Sequence, residues 1–101
     1  MIRHIFIATI KDGMSDEMVN RKIEEMKAMK ERIPQIKSIN VGRSLGIAGP
    51  TNTVTMVIDT LSKEDFLAIL GSDAHKEVAS RAGEVFRTDN FILSQIEISC
   101  K

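Results

Sequence analysis

The sequence has no tryptophan or tyrosine, only four phenylalanines and a single cysteine among its 101 residues. Without large aromatic side chains it lacks the usual stacking surfaces for a flavin or for nucleic-acid bases. A bound molecule would be held mainly by aliphatic and methionine side chains. Cys100 cannot form an intramolecular disulfide, and neither a second cysteine nor a nearby histidine accompanies it as a metal ligand. We therefore expect no cofactor and no metal, and we interpret Cys100 as a passive residue.

Net charge is also absent, because fourteen basic and fourteen acidic residues cancel. No basic block stands out, which argues against DNA or RNA as a partner. The apolar run over residues 2–10 contains Arg3 and His4 and ends at Lys11. It is too short for a transmembrane helix and lacks a signal-peptide cleavage site. We predict a cytoplasmic protein without a membrane partner, and the length fits one domain over residues 1–101.

The spacing of apolar residues predicts four strands and two helical regions. Ser15 and Ser62 are suitable N-caps, and Pro34 ends the first helical region. The loop over residues 46–52 is rich in Gly, Pro and Asn, so we predict a mobile hairpin connection. In chain order the predicted elements are a strand over 2–10, a helix from about 16 to about 32, strands over 38–45 and 53–59, a short helix around 66–70, a helical segment over 73–86 and a strand over 91–98.

This βαββαβ order predicts an α+β, ferredoxin-like fold. Its four-stranded antiparallel sheet would carry the helices on one face, with the first and third strands at the centre. On the opposite face these two strands present Ile5, Ile7 and Val57, which are too apolar to remain in water. A second copy is the simplest cover, so we predict a homodimer with stacked sheets, a dimeric α+β barrel.

The two histidines are the candidate chemical groups. His4 shares a strand face with Phe6 and Ala8, and His75 precedes Val78 and Ala79 on an apolar helix face. Either ring alone would be a partly buried core histidine with nitrogens bonded to backbone or water. Near one cavity, both rings would favour the neutral form, with pKa values below the usual histidine value of about 6.5, and could transfer protons.

Three segments carry a family resemblance: IRHIFI at 2–7, RIPQIKSINVGRSL at 32–45 and DAH at 73–75. In this order and separation they resemble the stress-responsive dimeric α+β barrel (Dabb) family, over nearly the whole chain. The resemblance implies a ferredoxin-like subunit, dimerisation through the sheets and a pocket between sheet and helices. In a plant member that cyclises a polyketide, histidines matching His4 and His75 are associated with acid and base chemistry. Ile69 matches a tyrosine of that cyclase, and Asp73 matches a proline common in the family.

Three functions fit these features. The first is a cofactor-independent lyase, cyclase or isomerase that moves protons on a carbonyl compound. The second is a non-catalytic stress-response protein that binds an apolar small molecule, and the third is a cofactor-independent monooxygenase. An enclosed pocket that reaches both imidazoles would favour the enzyme over the binding protein. The predicted catalytic residues are His4 and His75, and the predicted substrate-binding residues are Phe6, Met56, Phe66, Val78 and Phe86.

Overall fold

Over residues 1–99, which the computed structural model describes, the chain forms four strands and four helices in βαββαβ order, with each helical connection divided in two. Cys100 lies outside these residues. The strands are β1 (Ile2–Thr9), β2 (Ser38–Arg43), β3 (Thr53–Thr60) and β4 (Ile92–Glu97). The helices are α1 (Asp16–Lys27), α2 (Met29–Arg32), α3 (Lys63–Leu70) and α4 (Asp73–Ser80), and a 3₁₀ turn follows at Ala82–Glu84.

The four strands form one antiparallel sheet in the order β2-β3-β1-β4, so the predicted central position of β1 and β3 is confirmed. His4 pairs with Ile58 on one side and with Gln95 on the other. Side chains alternate between the two faces of a strand. His4 therefore points to the same side as the buried Ala8, and Ile5 and Ile7 point to the other. The chain has the predicted ferredoxin-like α+β fold.

The helices cover the sheet through the apolar faces that the sequence predicts. Val19, Ile23 and Met26 of α1 are buried against the core. The Oγ of Ser15 accepts the N–H of Met18 at 3.2 Å, and the Oγ of Ser62 accepts that of Asp65 at 3.1 Å. Both predicted N-caps thus satisfy backbone donors that would otherwise lack a partner. Within residues 1–99, no helix is long and apolar enough to cross a membrane.

A single helix from residue 16 to 32 was the wrong prediction. The helix is interrupted at Ala28, whose N–H donates to the carbonyl of Glu24, and the following turn is tighter, with the N–H of Glu31 bonded to the Ala28 carbonyl. Met26 and Met29 are both buried. Met29 is three positions after Met26, fewer than the 3.6 residues of an α-helical turn, so a locally tighter turn keeps both side chains on the core side.

The predicted helix over 73–86 was also too long, because α4 ends at Ser80. Gly83, a poor helix former, lies in the 3₁₀ turn that follows. Beyond it the chain joins the end of β1, where Ile10 and Phe86 form a bridge. Ala79, predicted on the buried face, is exposed. Residues 85–87 therefore form backbone hydrogen bonds with the end of β1 and the residues after it, in place of further helical hydrogen bonds.

The predicted strand over 38–45 ends two residues early, at Arg43. The N–H of Ser44 still donates to the carbonyl of Thr53 at 2.9 Å, but Gly46 has a positive φ of 71° that turns the chain away. A glycine adopts this conformation without strain. Leu45 is consequently 86% exposed rather than packed on the sheet.

Candidate active site

A cavity of about 190 Å³ lies between the sheet and the helices. β1 and β3 contribute one wall, α1 and α4 contribute another, and the 3₁₀ turn lies at one end. Leu70, Ala79 and Leu93 line it and are exposed, so they mark its mouth. The cavity is the size of a small organic molecule, and apolar side chains form most of its wall.

The cavity brings together both histidines and four of the five predicted substrate-binding residues. His4 and His75 reach it from opposite layers, one from the sheet and one from α4. The four apolar residues in its wall are Phe6, Met56, Val78 and Phe86. Phe66 is not in the wall. Its ring centroid lies 4.9 Å from that of His4, so it packs against the imidazole instead.

The imidazole of His4 is held by its neighbours on the sheet. It is 4% exposed and lies on a central strand with partners on both sides. The Gln95 side chain lies across from it on β4, with Nε2 of the amide 3.0 Å from Nδ1 of the ring. An amide nitrogen can only donate, so Nδ1 accepts and the neutral ring carries its proton on Nε2. This contact leaves Nε2 as the ring nitrogen that is not engaged by Gln95.

His75 is placed by the start of α4. The Oγ of Ser72 caps this helix and accepts the N–H of His75 at 3.2 Å. Nδ1 of the ring is buried and has no hydrogen-bond partner among residues 1–99. Buried polar atoms without a partner are rare in folded proteins and recur at functional sites. The ring is therefore a polar group that the protein itself leaves incompletely satisfied.

Both imidazoles favour the neutral form. Burial lowers the pKa of His4, and the charge that His75 would carry lowers it further. Burial also lowers the pKa of His75, although the nearby backbone carbonyl of Leu70 favours the charged ring and opposes part of this shift. By hydrogen-bond geometry Nδ1 nevertheless has no partner among residues 1–99. A neutral imidazole can donate through one nitrogen and accept through the other, which suits proton transfer.

The structure adds one charged side chain to the cavity that sequence reasoning missed. Lys22 lines the wall, is 4% exposed, and donates from Nζ to the carbonyl of Val78 at 3.2 Å and to Oε1 of Glu25 at 3.3 Å. A signal was present in the sequence. Lys22 lies three residues after Val19 and four before Met26, on the apolar face of α1.

The βαββαβ order and the four-stranded antiparallel sheet place the chain among ferredoxin-like α+β proteins. The model of the stress responsive A/B barrel domain family matches residues 2–93 of the sequence. The chain therefore belongs to that family, as the three segments of resemblance predicted. No curated protein matches the sequence closely enough to count as a relative.

Solved structures support the fold at low sequence identity. A protein from Arabidopsis thaliana is 20% identical, with a TM-score of 0.84 over 100% of this chain and 98% of its own. A dimeric ferredoxin-like protein of unknown function from Thermobifida fusca is 21% identical, with a TM-score of 0.82 over 96% and 90%. The hydroxynitrile lyase from Passiflora edulis is 20% identical, with a TM-score of 0.83 over 97% and 93%.

Proposed function

We propose that this protein is a cofactor-independent enzyme, of lyase, cyclase or isomerase type, that transfers a proton on a small carbonyl compound. One observation carries the proposal: two imidazoles with lowered pKa values, from opposite layers of the fold, line the same apolar cavity. Titratable groups with perturbed pKa values in a cleft are candidates for acid and base catalysis. The hydroxynitrile lyase from Passiflora edulis supports the proposal only to the extent that this fold accommodates a lyase.

The two rings have different roles in this proposal. The Gln95 contact leaves a proton on Nε2 of His4, so His4 is the donor that hydrogen-bonds the carbonyl oxygen of the substrate. His75 is the base that takes a proton from the carbon next to the carbonyl. The electron pair then moves onto the oxygen, where the His4 donor stabilises it. For an isomerisation, His75 returns the proton to a different carbon and the carbonyl re-forms. For a lyase reaction, the electron pair on the oxygen instead re-forms the carbonyl as the bond from the next carbon to a leaving group breaks, and that group departs with the proton from His75.

A non-catalytic small-molecule-binding protein of the stress response is the second candidate. It is favoured by Ile69, a buried apolar residue at the position of the tyrosine in the plant cyclase. An isoleucine can neither donate nor accept a proton. This function would need only the apolar cavity and would leave the histidines as partly satisfied core residues.

We also propose that the protein is a homodimer in which two sheets stack face to face. Ile92 and Ile96 of β4 pair with Ile7 and Arg3, so they extend the apolar outer face that begins at Ile5 and Ile7. Both β4 isoleucines are exposed in the single chain. Exposed apolar side chains that cluster on one sheet face are typical of protein–protein contacts. The dimeric description of the Thermobifida fusca protein supports this assembly.

The catalytic proposal is tested by finding a substrate and then removing the rings. A thermal-shift screen of small carbonyl compounds identifies ligands, because a molecule that binds only the folded state raises its Tm. We expect His4→Ala and His75→Ala each to lower kcat by about 10² to 10⁴-fold, the usual contribution of a general acid or base. Lys76→Ala is the matched control, since Lys76 neighbours His75 on α4 but is exposed and outside the cavity wall.

Circular dichroism and sedimentation should show that these variants keep their fold and assembly. A double variant of His4 and His75 with full activity would refute the enzyme hypothesis. So would two rings that titrate at the normal histidine value of about 6.5 in an NMR pH series. Either result would favour the binding protein.

A further inference from the structure

The cavity contains a lysine for which the proposed proton transfer has no role. We infer that Lys22 makes the cavity selective for a ligand with an acidic oxygen, a carboxylate or an enolate, at one end of an apolar body. The inference rests on the proposed function in one respect, that this cavity is the ligand site. It adds the chemical class of the ligand and a residue that determines specificity.

The position of Lys22 is unusual for its residue type. Lysine side chains are almost never fully buried unless they are paired. Lys22 is 4% exposed and lies between Val19 and Met26 on the core face of α1, where its side chain contributes to the cavity wall. Burying a charged side chain is costly unless it finds partners. Lys22 therefore depends on hydrogen-bond and ion-pair partners.

The protein satisfies the Lys22 ammonium only in part. A protonated amine has three donors, and Lys22 uses them within residues 1–99 on two acceptors. These are the Val78 carbonyl at 3.2 Å and Oε1 of Glu25 at 3.3 Å. Hydrogen bonds between charged groups are usually shorter, about 2.7–2.9 Å. One donor remains, and the ion pair that exists is long.

Glu25 is itself shared with a second cation. Its Oε1 lies 2.7 Å from a guanidinium nitrogen of Arg81 and 3.3 Å from Nζ of Lys22, so Arg81 is the closer cation. Arg81 also lies 3.9 Å from Glu77, and Glu77 pairs with Arg32 at 2.9 Å. Three cations thus share two carboxylates in this cluster. The excess positive charge falls on Lys22, the member that is buried and most weakly paired.

Among residues 1–99, no other side chain in the cavity wall carries a positive charge. His4 and His75 favour the neutral form, and Glu84, which borders the groove outside Lys22, is exposed. Water screens such an exposed carboxylate, so it offsets little of the charge felt inside. A ligand oxygen with negative charge would occupy the unused donor of Lys22. A neutral ligand of the same shape would leave that donor without a charged partner.

A purely structural role for Lys22 predicts a different result. Its bond to the Val78 carbonyl adds a second donor to an acceptor near the end of α4 that already takes the N–H of Arg81, and lysines near helix C-termini often bond such carbonyls. That bond alone would stabilise the helix without any preference between charged and neutral ligands. Ligand selectivity therefore separates the two roles where a measurement of stability does not.

The test uses hexanoate and hexanamide, which share an apolar body and differ in the charge at one end. NMR titration of the full chain at neutral pH gives the two Kd values. We expect wild-type protein to bind hexanoate about tenfold or more tightly, the scale of a hydrogen bond to a charged group. Lys22→Met keeps most of the length of the side chain but removes the ammonium, and it should abolish this preference. Lys27→Met should retain it, because Lys27 lies on the same helix, half-exposed and outside the cavity wall.

The ¹⁵N shift of the Lys22 ammonium provides a second measurement on wild-type protein, which remains decisive if Lys22→Met fails to fold. Hexanoate should move this signal and hexanamide should not. Equal affinity for the two compounds, no binding of either, or an unmoved ammonium signal would overturn the inference. Equal affinity combined with histidine-dependent turnover would leave the proposed enzyme intact. A preference for hexanoate in a protein that turns over no substrate would support the role of Lys22 and contradict the proposed enzyme. The protein would then be an anion-selective binding protein.

Discussion

Filling the cavity should stabilise the protein, and this prediction tests whether the space is a binding site or a packed core. Ala82 lines the cavity and is 9% exposed. Ala82→Leu adds three carbons that would occupy part of the 190 Å³. Burial of a CH₂ group contributes about 0.8 kcal/mol, so the gain in free energy of unfolding is at most about 2.4 kcal/mol. Ordering a leucine side chain costs about 0.5–1 kcal/mol, which leaves a gain of about 1.5 kcal/mol.

The same substitution in a filled region should have the opposite sign. Ala8 is fully buried and is not part of the cavity wall. Ala8→Leu forces additional carbons into close-packed surroundings, which typically lowers the free energy of unfolding by about 1–3 kcal/mol. The pair of variants therefore compares one chemical change in two environments.

Urea denaturation followed by circular dichroism measures both effects, since a change in midpoint at constant slope reports a change in stability. Ala82→Leu should also lose binding of any ligand found for wild-type protein. A loss of stability at Ala82 as large as that at Ala8 would show that the space is not free, and the cavity could then not hold a substrate.

Three further predictions concern assembly, mobility and pH. Ile7→Lys should give monomers or insoluble protein, and wild-type chains that sediment as monomers at micromolar concentration would contradict the dimer. Amides in the loop over residues 46–52 should exchange fast, because exposed Gly-rich hairpins have few packing partners; strong protection across Ala48 to Thr51 would mean that the loop is docked. Since the folded-state pKa values of His4 and His75 are lowered, the unfolded chain binds more protons, and stability should fall as pH drops from about 6.5 through those values. Urea midpoints of wild type and of a variant without both histidines test this, and equal slopes against pH would refute it.

Topology followed from the sequence because it depends on periodicity over many residues. The alternation in β1 and the capped apolar face of α1 each involve several concordant signals, so an error at one residue changes little. The ends of elements depend on single contacts. Residues 82–86 leave the helix because Phe86 bridges to Ile10, a partner 76 positions away that local propensity does not reveal.

The candidate site was predictable only where it follows strand and helix faces. His4 and His75 could be assigned to the cavity from their faces together with the fold order. Gln95 could not, because its contact with His4 depends on the register between β1 and β4. Lys22 was missed because lysine on a helix normally reaches solvent, and its burial arises from contact with the end of α4. Phe66 was predicted in the cavity wall because it lies on the buried face of its helix. That face was predicted correctly, but the ring packs against the imidazole of His4 and does not line the cavity.

The two histidines belong to elements that we expect to differ in their stability against local unfolding. β1 is hydrogen-bonded on both sides at the centre of the sheet, so His4 should become accessible only when the whole domain unfolds. α4 is eight residues long, too short to be stable in isolation, with Gly71 before it and Gly83 after it. We expect it to open as a local unit that carries His75 with it. Local opening of α4 could then let a ligand enter the cavity and a product leave it, while the sheet keeps its structure.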